Sequence, residues 1–191
     1  YCNRNYVITV GTTEKKTLRA EYDHFYNKSK YPLLALSFYN LIPICGTCNK
    51  KKLDKDFRLD THLHPYLINK EEKKFIFSFR KKNFIENNVE IKISTKSDEA
   101  KKKIEKTFQD LNIKEIYNVH SNKELRDLLD LRLKYSENYI DTLIKKTFKG
   151  TMSKEEIYRM VFGIETIEED YHKRPFSKFK HDIIEELKNI K

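Results

Sequence analysis

Three observations predict an α+β fold with its strands early in the chain and its helices late. Short β-branched and aromatic runs occupy residues 1–95, whereas from Ser97 onward apolar residues recur at helical spacing. Two Ser-x-x-Glu capping boxes, Ser121 to Glu124 and Ser153 to Glu156, lie in the later half. Residues 21–52, EYDHFYNKSKYPLLALSFYNLIPICGTCNKKK, read as strand, loop, strand and helix, a compact ββα unit. The expected organisation is one unit over residues 1–95 and a mainly helical region, 96–191, packed on it.

Taken in order, residues 6–10 (YVITV) are β-branched and aromatic and end at Gly11, which predicts a strand. Leu18 to Phe25 predicts a second, arriving at Asp23-His24. Pro32 disfavours helix through residues 26–37, so that segment is a loop. Tyr39 to Ile44 returns as a strand, and a helix begins near Asn49. Phe75, Phe77 and Phe79 alternate on one face of a further strand, and Val89, Ile91 and Ile93 on another, with Asn87-Asn88 as the turn of a small β-hairpin. Ala100, Ile104, Phe108 and Leu111 form a helical stripe behind a Ser97 cap and acidic Asp98-Glu99. The Ser121 box predicts a long helix ending at Gly150, and the Ser153 box a helix with Ile157, Met160 and Val161 inward. Pro175 opens a last helix with Phe176, Phe179, Ile183, Leu187 and Ile190 as its stripe.

Composition narrows the function classes. The 191 residues carry a formal net charge of +10, which favours a polyanionic partner such as DNA. No apolar run reaches the roughly 18 residues of a membrane span, so no membrane partner is expected. Nothing resembles a secretory signal, and the start on Tyr rather than Met points to residues upstream. Three cysteines, two of them in Cys-x-x-Cys, fit a metal site in a reducing compartment, the cytoplasm, better than a disulfide framework.

Residues 21–52 carry the chemistry. Hydrolysis of a phosphodiester needs an activated water, a cation to stabilise charge on the phosphate, and a grip on the strand. Asp and Asn oxygens suit hard Mg²⁺ or Mn²⁺, and an imidazole titrates close enough to neutrality to take a proton from water. Asp23, His24 and Asn49 offer that set if Asn49 on the helix faces Asp23. Adjacent strand residues point to opposite faces, so Asp23 and His24 share a site only at a strand end or bulge.

The series DHFYNKSKYPLLALSFYNLIPICGTCNKKK resembles the HNH, or ββα-metal, nucleases, and most closely a branch from bacterial anti-phage defence systems in which the nuclease accompanies an ATPase. THLHPY at 61–66 and KRPFSKFKHDI at 173–183 extend the likeness. The resemblance implies a metal-dependent DNA endonuclease in which Asp23 and Asn49 bind the catalytic Mg²⁺ or Mn²⁺. By the same likeness His24 is the general base and Asn40 holds the loop that orients it. The likeness makes Cys45 and Cys48 half of a zinc knuckle and Cys2 part of the other half; the fourth Zn²⁺ ligand is expected upstream of Tyr1, the alternatives being a substituting histidine or an empty site. An ATPase partner and an antiviral role rest on the likeness alone.

Other residues weigh less. Lys28, Lys30, Lys50, Lys51 and Lys52 are candidate phosphate contacts or simply solvated charge. His62 and His64, two apart, would share a strand face and either bind metal or phosphate, support residues that do, or play a structural role. Two rival readings stand beside the nuclease: an inactive nucleic-acid-binding or adaptor module of the same fold, and a nuclease of RNA.

Overall fold

The computed structural model describes residues 1–81 and 87–189. It is a mixed α+β protein in which the described residues form three two-stranded sheets, and backbone proximity divides it into two compact units. The first comprises residues 1–75 and 93–113; the second comprises 76–92 and 114–191. The helix after Ser97, which the sequence reading placed with the C-terminal region, falls within the first unit.

The first unit opens with β1 (Val10–Gly11) antiparallel to β2 (Lys16–Leu18). The strand expected over residues 6–10 is thus reduced to its last residue, and Tyr6 and Ile8 are left exposed. β3 (Glu21–His24) pairs antiparallel with β4 (Leu41–Ile44), setting Asp23 opposite Ile42 and His24 opposite Leu41. The intervening loop carries two short 3₁₀ turns, Pro32–Leu34 and Phe38–Asn40. Pro32 at the first of these supplies a φ suited to a turn start. α1 (Gly46–Lys52) follows β4 directly and completes a strand, loop, strand, helix unit.

Alternation decides what lies on each face of the hairpin. Asp23, Ile42 and Ile44 are buried, whereas Tyr22 and Pro43 are exposed. Phe25 and Phe57 are fully buried beneath this hairpin with edge-on rings 5.9 Å apart. The unit is closed by α2 (Asp98–Asp110), whose Ser97 cap accepts from the Ala100 backbone as expected. Ala100, Ile104 and Leu111 are its buried stripe, and the Thr107 hydroxyl accepts from the Leu63 backbone at 2.8 Å.

The second unit is mostly helical. It contains most of β5 (Phe75–Lys81) and β6 (Asn87–Ile93), which pair with one another. Asn87 and Asn88 belong to β6 and are not the turn that the sequence suggested; residues 82–86 lie outside those described. α3 (Ile113–His120) continues without a break through one wide π turn, Ser121–Leu125, into α4 (Arg126–Lys134). Ser121 therefore stands inside a helical run rather than at its start. The run breaks at Tyr135, where Ser136 caps α5 (Glu137–Thr142), well before Gly150. The Ser153–Glu156 box does cap α6 (Lys154–Phe162), in both directions. Met160, expected inward, is exposed, while Ile157 is fully buried.

α7 (Ser177–Asn189) starts two residues after Pro175 and buries Phe179, Ile183 and Ile184. Phe77 stacks on Tyr117 and meets Phe179 edge-on, so strand, α3 and α7 share one core. Asp182 accepts from the Phe77 backbone at 2.9 Å and Glu186 accepts from Ser78 at 2.7 Å. Among the described residues no helix is long and apolar enough to cross a membrane.

Candidate active site and cysteine cluster

His24 is the last residue of β3 and only half-buried. Its Nε2 lies 3.1 Å from the carbonyl oxygen of Ala35 in the loop. A carbonyl only accepts, so Nε2 carries a proton, and in the neutral ring Nδ1 keeps its lone pair. No other hydrogen bond to this ring is made among the described residues. The loop that supplies Ala35 is pinned by buried Asn40. The Asn40 Oδ1 accepts from the Tyr26 backbone at 2.7 Å, and Nδ2 donates to the carbonyls of Tyr26 and Leu34 at 3.2 and 3.0 Å. The chain at 26–40 thus closes on one amide side chain, one residue from the carbonyl that holds His24.

Asp23 faces the opposite way and is buried. Its Oδ1 accepts from the Lys52 ammonium at 2.9 Å, and its Oδ2 from the Tyr1 hydroxyl at 2.9 Å. Lys52 also donates to the His24 carbonyl at 2.7 Å and lies over the Phe57 ring. At 1% exposure it cannot reach a phosphate, which corrects its assignment among the surface lysines. Burial pulls the Lys52 ammonium below its usual range, while neighbouring Asp23 opposes that pull. Burial, and then the Asp23 carboxylate, hold the Tyr1 phenol far above its ordinary value, so Tyr1 remains a donor.

Asn49 does not pair with Asp23. Its Nδ2 donates to Glu21 Oε2 at 2.8 Å, one strand period earlier on the same face of β3. Glu21, Tyr1 and the buried role of Lys52 were missed from sequence. The period-2 rule applied back from Asp23 would have found Glu21; nothing local marks Tyr1. Lys28, Lys50 and Lys51 are exposed, and Lys30 pairs with Asp56 at 3.4 Å.

His62 and His64 lie in an irregular segment, not on a strand, and both are buried. His62 stacks on Phe57, accepts from Thr61 at Nδ1, and donates from Nε2 to Asp110 at 2.9 Å. His64 donates from Nε2 to the Tyr39 carbonyl and accepts the Tyr66 N–H at Nδ1. Burial lowers the pKa of both, so each is a neutral, fully bonded ring that ties this segment to α2 or to the hairpin loop.

The three cysteines converge. The Sγ atoms of Cys2, Cys45 and Cys48 lie within 4.8 Å of one another, with Cys2 and Cys45 at 3.8 Å. All are free thiols, and such a group can hold a metal ion such as zinc. Hydrogen bonds from Cys2 and then Cys48 hold the Cys45 thiol well below its ordinary range; contacts with Cys2 and Cys45, and then burial, push Cys48 far above it. A thiolate stabilised by neighbouring thiols is the electronic state a soft metal ligand needs. Among the described residues no fourth His, Cys, Asp or Glu joins the group.

No family model matches the chain, and no match was found among curated proteins or solved structures.

Proposed function

We propose that the protein is a divalent-metal-dependent endonuclease of the HNH, ββα-metal type that hydrolyses phosphodiester bonds of DNA. The observation that carries this reading is His24: its proton is fixed on Nε2 by Ala35, its Nδ1 is available, and it stands at the open end of a strand–loop–strand–helix unit. In this reading a water next to Nδ1 gives up its proton to the ring as its oxygen attacks phosphorus, the P–O bond to the leaving strand breaks, and the departing oxygen takes a proton from solvent. Asn40 acts at one remove, fixing the Ala35 loop so that the ring cannot turn. Exposed Lys28, Lys50 and Lys51 attract the polyanion.

The donor chemistry around β3 suits a hard divalent ion. Asp23 retains lone pairs on both oxygens, and Asn49 keeps Oδ1 when Nδ2 is on Glu21. Asp23 faces away from His24 across β3 and is held by Lys52 and Tyr1, so Mg²⁺ or Mn²⁺ would serve a phosphate beside His24 only once that buried pair opened. Binding through Asp23 has to compete with Lys52 for the same carboxylate. The cysteine cluster fits a structural Zn²⁺ that ties the start of the chain to the hairpin. An ATPase partner and a role in anti-phage defence are supported by sequence resemblance only.

One observation favours the inactive, nucleic-acid-binding alternative: the Asp23 charge is already neutralised by Lys52. Plasmid nicking decides. Purified protein with Mg²⁺ or Mn²⁺ is expected to nick DNA, and His24→Ala is expected to abolish nicking with zinc content and circular dichroism unchanged. Equal cleavage by His24→Ala removes the mechanism, and tight binding without cleavage in either ion selects the inactive module. An RNA arm in the same assay tests the substrate class.

A further inference from the structure

Large apolar side chains exposed singly are ordinary, but here several gather beside one imidazole. The loop between β3 and β4 leaves Leu33 97%, Leu36 93%, Phe38 75% and Tyr39 63% exposed. Tyr66, 42% exposed, reaches them from the following segment. Its ring is parallel to Phe38 within 9° at 6.3 Å, and Tyr39 approaches both rings edge-on at 5.6 and 6.4 Å.

Two hydrogen bonds fix this surface to the His24 end of the hairpin. The Ala35 carbonyl, between Leu34 and Leu36, receives the His24 Nε2 proton. The Tyr66 hydroxyl donates to the carbonyl of Leu41, the residue paired with His24 across the hairpin. Tyr22, exposed and two residues before His24, lies on the same strand face.

The surroundings choose the occupant. The loop between Tyr31 and Tyr39 has no charged residue, but exposed Lys28 and Lys30 precede it in a chain of net charge +10. Exposed rings on an uncharged loop, with lysines just before it in the chain, match nucleic acid whose bases are unpaired: bases stack on the rings and phosphates meet the lysines. A duplex keeps its bases inside and offers such rings nothing to stack on.

We propose that Phe38, Tyr39 and Tyr66 form a stacking platform that selects unpaired nucleotides of DNA and delivers the adjoining phosphate to His24. This rests on the nuclease reading and specifies its substrate as single-stranded or locally unpaired DNA. His64 is a positioning residue for the platform, since it holds the Tyr39 carbonyl and the Tyr66 N–H.

The test measures fluorescence anisotropy of a labelled oligodeoxynucleotide, single-stranded or annealed to its complement, in the His24→Ala background so that nothing is cut. Single strand is expected to bind more tightly than duplex. Phe38→Ala and Tyr66→Ala should each weaken single-strand binding roughly 5- to 100-fold, while changing duplex binding little. Tyr39→Phe, which keeps the ring, should bind as the parent does.

Equal affinity for the two forms, or unchanged single-strand affinity in both alanine variants, overturns the platform and leaves the surface to a protein partner. Cleavage by wild-type protein in a parallel reaction separates the two readings. If the chain cuts DNA but the aromatic variants bind normally, only the platform fails. If aromatic-dependent strand binding holds and nothing is cut, only the nuclease fails.

Discussion

His24 and His64 are held in the same way and differ by a single bond. Each donates Nε2–H to a backbone carbonyl, Ala35 for His24 and Tyr39 for His64. The second nitrogen of His64 takes the Tyr66 N–H, and its ring packs 4.3 Å from Phe25 in the core. The second nitrogen of His24 is left with a lone pair at a half-exposed strand end. An imidazole whose two nitrogens are both engaged is a structural bracket; one with a fixed proton and an open lone pair is equipped to accept a proton. The difference between the two roles is therefore one of bonding and exposure and not of residue type.

The sharpest way to break this comparison is to truncate each ring. His24→Ala should lower cleavage by about 10²- to 10⁴-fold, the usual worth of a positioned general base, and cost only about 1 kcal/mol of stability for one lost hydrogen bond. Plasmid nicking and urea unfolding measured on the same preparation read both effects. A reversed pattern, stable activity with lost stability, would make His24 another bracket.

Lys52 tests what keeps the His24 backbone in place. Lys52→Met preserves the stem against Phe57 but strands Asp23 as an unpaired buried carboxylate, which costs about 3–5 kcal/mol. Asp23→Asn/Lys52→Met together should recover much of that loss, and denaturant midpoints for the three variants measure the recovery. His64→Ala is expected to cost about 2–4 kcal/mol through a cavity beside Phe25 and two unpaired backbone groups. Cleavage per folded molecule should fall far less than in His24→Ala.

The smallest effect is on pH dependence. His62 and His64 have pKa values depressed by burial below the ordinary value near 6.5. The unfolded chain then binds more protons than the folded one below about pH 6.5. Their contribution is fully present above that pH and is lost as pH falls toward the folded values, by at most about 1.4 kcal/mol per pH unit for each histidine. Urea midpoints between pH 7 and 5 should fall in wild type and fall less steeply in His62→Ala or His64→Ala.

Local chemistry was legible in the sequence where a residue acts on its neighbours. The hairpin and helix around residues 21–52, the Ser97 and Ser153 caps and the α2 stripe follow from spacing, because period and capping are short-range properties. Cys45 and Cys48 were legible because Cys-x-x-Cys announces a metal geometry, whereas Cys2 was reached only through the family likeness. What escaped were partners chosen by tertiary packing. Lys52 reads as one of three surface lysines until α1 lies on β3; Asn49 meets Glu21, and His62 meets Asp110 48 positions away. Ser121 reads as a helix start because its cap pattern is complete, yet α3 runs straight into it.

The division of β3 into two faces also makes the hairpin intolerant of error. Sliding β3 by one residue against β4 would exchange the places of Asp23 and His24, since neighbours on a strand point to opposite sides. Lys52 would then be buried without its counter-ion, and the imidazole would be shut beneath α1. Such a slip costs several kcal/mol and leaves no proton acceptor in the open. The slip would also pull against the three hydrogen bonds by which Asn40 grips the backbone at Tyr26 and Leu34.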